Sequence, residues 1–176
     1  LDPEFAKAAA EGWGNSVKGG GRQVDPRFAS MTFEQRQALA NRANAAINQR
    51  KAEDRAAIDI AVTNAPAAIM STGGYSEQMP PPEAFISAYG PAEGAERYNN
   101  FQASVDTAQQ AYAMQTMPSN EIQSALAAAT PLTSGNDAAL AQSRYEALSK
   151  AAAATLKARE ADPAAYVRQA FPAVKE

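Results

Sequence analysis

FEQRQALANRANAAINQRKAEDRAAIDIAVTN, residues 33–64, contains neither glycine nor proline. It is dominated by Ala, Gln, Arg and Glu, side chains that lose little freedom on entering a helix. Just ahead of it, Thr32 and Gln35 stand at capping-box spacing: the hydroxyl accepts from an early backbone amide and the side chain three residues on reaches back. The stretch is therefore predicted as one long helix. Its apolar stripe is Leu39, Ala43 and Ile47, then Ile58 and Val62, with Arg50, Asp54 and Arg55 interrupting the middle. About 32 residues at 1.5 Å each would run roughly 50 Å, so the helix is expected either to project from the body or to pair with a second long helix as an antiparallel hairpin. Pro66 is expected to bend or end it.

Downstream the chain is punctuated by glycine and proline. Ser71 to Pro82 is a loop by composition, holding Gly73-Gly74 and the stiff, extended Pro80-Pro81-Pro82. Pro82 should start a short helix over Glu83 to Tyr89, stopped by Gly90, and Pro91 should open the next. That next helix places Tyr98, Phe101, Val105, Ala108 and Tyr112 at spacings of three and four, one aromatic and apolar face. Ser119 is read as the cap of a helix burying Ile122, Ala125 and Leu126. A second long helix is predicted from Asp137 to Ala161, with Leu140 or Ala141, Tyr145, Leu148, Ala152 and Leu156 on one side. Asp162 caps a last short helix carrying Tyr166, Val167 and Phe171 before Pro172. The β-branched and aromatic residues occur singly and at helical spacing and nowhere alternate over five residues, so no strand is predicted. The expected class is all-α: two long helices plus several short ones in a bundle or an extended helical hairpin.

The N-terminal part reads differently. Leu1-Asp2-Pro3-Glu4-Phe5 looks like a translated cloning-site linker and is set aside from fold reasoning. Residues 6–30 carry Gly12, Gly14 and Gly19-Gly20-Gly21 and are expected to be a flexible arm, the helical domain following over 31–176. Trp13 is the anchor in that arm, suited to docking on the body or on a neighbour. Trp13 and the Pro80, Pro81, Pro82 loop are the candidate partner contacts.

Composition narrows the chemistry. The chain has no histidine and no cysteine among its 176 residues, which removes the commonest general base, thiolate nucleophiles, disulfides and the usual transition-metal ligands. Sixteen basic and 19 acidic residues leave a net charge of -3, and the basic ones are scattered, which disfavours nucleic acid as a partner. No run approaches the roughly 18 apolar residues of a membrane span. Much of the 45% hydrophobic content is alanine, so helices are expected to approach closely.

Three strings invite chemical readings. Ala113-Met114-Gln115-Thr116-Met117-Pro118 resembles the Met-Gln-x-Met-Pro segment of lytic transglycosylases. That family also needs an upstream catalytic glutamate, usually followed by serine. Glu93 and Glu96 lack that setting, and Tyr112-Ala113 replaces the family's glycine. The segment is read instead as a helix end followed by a capped start. Glu53, Asp54 and Asp59 are read as a solvated face among Arg50, Lys51 and Arg55, because adjacent residues point about 100° apart on a helix. Gly19-Gly20-Gly21 lacks the strand and the Gly-Lys-Ser/Thr of a phosphate loop. No catalytic, cofactor-binding or metal-ligating residue is assigned. Tyr89, Tyr98, Phe101 and Tyr112 are read as core.

Phe85-Ile86-Ser87-Ala88-Tyr89-Gly90-Pro91-Ala92-Glu93-Gly94-Ala95-Glu96-Arg97-Tyr98 resembles a helix-turn-helix phrase of large, alanine-rich virion proteins of tailed bacteriophages and prophages. Met31-Thr32-Phe33-Glu34-Gln35-Arg36 and Ala158-Arg159-Glu160-Ala161-Asp162-Pro163-Ala164-Ala165-Tyr166-Val167 are similar to flanking phrases of the same proteins, so that soft patterns extend from Asp25 to Val174. The resemblance implies a non-catalytic helical region, some of whose parent proteins carry a lytic transglycosylase domain elsewhere. A structural or assembly role through a protein partner or self-association is then expected, with no cofactor, in the virion or the bacterial cytoplasm. The expectation from another class is a helical binding module of a secreted bacterial effector or adaptor.

Overall fold

The computed structural model describes residues 8–9, 14–16, 22–24, 26–131 and 138–171. The chain divides into two compact units inside its longest helix, one ending at Ala56 and the other starting at Ala57. The class is all-α, with one small exception. Strands β1 (Gly14–Ser16) and β2 (Arg22–Val24) pair antiparallel, Gly14 opposite Val24 and Ser16 opposite Arg22. These six residues correct the expectation of no strand. Strands of three residues are too short for alternation to register in a sequence. Trp13 and Gly19-Gly20-Gly21 lie outside the described residues.

In the first unit a 3-10 turn, Pro26–Phe28, leads into α1 (Phe33–Thr72). The predicted capping box is present: the Thr32 amide donates to Gln35 Oε1 at 2.9 Å and the Gln35 amide to Thr32 Oγ1 at 3.3 Å. Phe28 is fully buried and packs with Ala9 and Ala43, with Met31, Leu39 and Ile47 around them. The first half of the predicted stripe is thus a real core.

α1 is 40 residues long and runs through Pro66, which was expected to bend or end it. Proline forfeits one helical hydrogen bond, here to the carbonyl of Val62. Val62 is 43% exposed, so water reaches that turn, while buried Ala65 and Ile69 hold the helix on either side of the proline.

The second unit has two clusters. In the first, Ile58, Ala61, Ala65 and Ile69 of α1 pack on Phe85 and Ala88 of α2 (Pro82–Tyr89) and on Phe101, Val105 and Ala108 of α3 (Pro91–Ala113). The stretch of α1 from Ile58 to Ile69 therefore lies against α3. Phe85 stacks on Phe101 at 5.8 Å and meets Tyr98 edge-on at 5.4 Å. In the second, Ala111 and Met114 join Ile122 of α4 (Ser119–Ala128) and Leu148 and Ala152 of α5 (Ala138–Ala161). The last helix, α6 (Pro163–Ala170), begins at Asp162, whose Oδ1 accepts from the Ala165 amide at 2.8 Å as predicted.

Several face assignments shift by one position. Val62 and Tyr112 are exposed, and Ala61 and Ala111 take the core places beside them. Of Leu140 or Ala141, Leu140 is the outward one. Ser119 is not a side-chain cap; Pro118 holds the N-cap position and Ser119 is the first helical residue.

Close approach sets the α2–α3 corner. Gly90 has φ +89° and ψ 169°, a combination that an L side chain resists. Gly94 is buried so tightly that a Cβ there would lie 2.5 Å from the Phe85 carbonyl oxygen.

Candidate interaction surface

The carboxylates that invited a chemical reading are spread along helix surfaces. Glu93 receives Arg97 Nε at 2.8 Å, four residues on, and both side chains are about half exposed. Arg97 also lies over the Tyr89 ring at 4.2 Å, and its pKa is raised chiefly by the hydrogen bond to Glu93. Glu53 accepts from Gln49 Nε2 at 2.9 Å, again one helical turn away. Among the described residues no group of three or more carboxylates is placed to hold a metal ion, and no helix is long and apolar enough to cross a membrane.

The segment Ala113 to Pro118 is a helix end followed by a helix start. After α3 the chain tightens, the Gln115 amide donating to the Tyr112 carbonyl at 3.0 Å and the Thr116 amide to Ala113 at 3.2 Å. Such an end leaves carbonyls without helical partners. Arg159, from the last turn of α5, supplies them. Its Nη2 donates to Met117 O at 2.5 Å and Tyr166 Oη at 2.7 Å, with Gln115 O at 3.3 Å and Met114 O at 3.4 Å as weaker acceptors. Nη1 donates to Ser119 Oγ at 3.0 Å. The guanidinium also lies over the Tyr166 ring at 4.6 Å. On the other side, Gln115 Nε2 donates to Met70 O at 3.1 Å and so ties the same corner to α1. Both Met114 and Gln115 are thus used for joining helices.

Arg159 escaped the sequence reading. A basic residue in a last turn suggests compensation of its own helix dipole. That it serves the C-terminal end of α3 depends on a contact across more than 40 residues.

The proposed partner contacts divide. Trp13 is not among the described residues. Pro81 is exposed and extended, with φ -74° and ψ 163°, Pro80 and Pro82 are half-buried, and Pro82 is the first residue of α2. The triplet therefore aims α2 onto the core, with Pro81 the most accessible of the three.

The large apolar side chains left facing solvent were not singled out as contacts in the sequence: Phe33, Ile60 and Val62 on α1, Ile86 on α2, Leu140 on α5, and Val167 and Phe171 at the end of the chain described. Phe33 is the extreme case, 67% exposed at the first position of α1, where the Thr32–Gln35 capping box fixes its backbone. Surface grooves among the described residues of the second unit add to these. One is lined by Ile58, Val62, Phe85 and Phe101, with Asp59 and Arg97 also contributing, and measures about 230 Å³. Another, about 370 Å³, lies among α1, α3 and α5. No family model, curated protein or solved structure matches the chain.

Proposed function

We propose that the chain is a structural or assembly region of a tailed-phage or prophage virion protein, working through protein–protein contacts. The observation that carries the reading is the Phe85–Tyr98 phrase on which the resemblance rests, together with what its residues do. Phe85, Gly90, Gly94 and Tyr98 close a tight helical corner, and Ile86 on the same corner stays 42% exposed. Contact through surfaces fits a chain without imidazole or thiol, whose Met-Gln-Thr-Met-Pro segment is occupied with joining helices.

The test is localisation and activity together. Particles induced from a host carrying the parent gene are banded on a density gradient and their peptides identified by mass spectrometry. Peptides of residues 33–171 should travel with the particle, and the purified chain should leave peptidoglycan intact in a zymogram. Exclusion from purified particles, with recovery on another bacterial or host protein, would instead favour an adaptor. Peptidoglycan cleavage by the chain itself would overturn the structural reading.

A further inference from the structure

The larger groove is walled by Pro66 and Met70 of α1, Ala103 and Thr107 of α3, and Leu140 and Ala147 of α5, and holds about 370 Å³. That is within the size range of small-molecule sites. Most of its lining is apolar, and two of its three hydroxyls are turned back on their own helix: Thr107 Oγ1 donates to Ala103 O at 2.7 Å and Ser104 Oγ to Asn100 O at 3.0 Å, while Ser143 of α5 adds the third. Water finds few partners against such walls.

Among the described residues that line this groove, one is charged. Arg144 lines it, is exposed, and has no carboxylate partner among the described residues; its Nη2 donates to Gln110 Oε1 at 2.9 Å. That bond steadies the guanidinium and leaves other N–H groups of the fork for an anion. An apolar trough with the Arg144 guanidinium in its lining is complementary to a molecule with an apolar tail and an anionic head.

From this arrangement we infer that the groove among α1, α3 and α5 binds an amphiphilic carboxylate of the medium-chain fatty-acid class, its tail along Met70, Ala103 and Leu140 and its carboxylate on Arg144. The inference is independent of the assembly role. A cationic amphiphile would place like charge against Arg144, and a neutral one would forgo the charged hydrogen bond.

Titration of the full chain with decanoate, decanol and decyltrimethylammonium, each below its micelle concentration and followed by amide chemical shifts, tests it. Decanoate should saturate one site and move resonances of α3 and α5 around Ala103 and Ala147. Replacing Arg144 by glutamine should weaken decanoate about tenfold, the worth of one charged hydrogen bond, and leave decanol unchanged. Filling the trough with Ala141→Leu should weaken both. Arg144 is on the surface, so its replacement leaves the fold intact, and an unchanged far-ultraviolet spectrum checks both variants. Equal affinity for the cationic and anionic amphiphiles, decanoate binding indifferent to both substitutions, or no saturable binding would each overturn the assignment.

Discussion

The guanidinium of Arg159 meets carbonyls at the end of α3, the Ser119 hydroxyl and the Tyr166 phenol at once, while its Nε is buried without a partner. Hydrogen bonds to a charged donor are worth more than neutral ones, and losing several leaves carbonyls of a packed corner unpaired. Arg159→Met is expected to cost about 2–4 kcal/mol, read from the urea midpoint at unchanged slope. Arg159→Lys should recover little of it, because an ammonium cannot fork between Met117 O and Ser119 Oγ. Gly94 gives a second residue-scale prediction, in which two effects compete. Alanine would gain about 1 kcal/mol of helix propensity. The Phe85 carbonyl 2.5 Å from the new methyl belongs to the backbone and cannot swing aside. Steric conflict wins, and Gly94→Ala should destabilise by about 1–3 kcal/mol net, measured by thermal melting.

At the scale of elements, α1 is the informative case. Residues 48–57 of this helix are exposed, Asp54 alone being half-buried, and lie between the Ala43–Ile47 and Ile58–Ala61 contacts. Propensity and one-turn pairs such as Gln49 with Glu53 hold the stretch together, without core packing. Ala52→Gly should therefore cost about 1 kcal/mol locally, seen as an about fivefold loss of amide protection over 48–57. Protection of α3 and α5 should not change; a matching loss there would show that α1 is stabilised as one cooperative piece. The run of good helix formers made this helix legible, as did the Thr32 and Asp162 caps, since each is a local property of the chain. Its continuation past Pro66 was not legible, because Ala65 and Ile69 hold that turn only through partners supplied by α2 and α3.

Taken as a whole molecule, the chain has a small core in its first unit and two larger clusters in its second. Among the described residues, Phe28 is the one large side chain fully buried in the first, whereas Phe85, Phe101, Ile69, Met114, Ile122 and Leu148 share that role in the second. Truncating a buried phenylalanine costs about 3–5 kcal/mol, enough to undo a core built on one ring. Phe28→Ala should abolish protection in the first unit and spare the amides of α3, while Phe101→Ala should do the reverse; hydrogen exchange resolves the two. A single transition lowered equally by both variants would refute their independence. Composition settled the all-helical class, the positions of most helix starts and stops, and the narrow choice of chemistry left without imidazole or thiol, all of which follow from residue types and near-neighbour spacing. Which alanines form the core, where Arg159 reaches, and how Arg144 comes to stand at an apolar groove were decided by tertiary structure. Burial and long-range hydrogen bonding depend on which helices meet, and a one-position rotation of a helix that exchanges Val62 for Ala61 leaves almost no mark on an alanine-rich sequence.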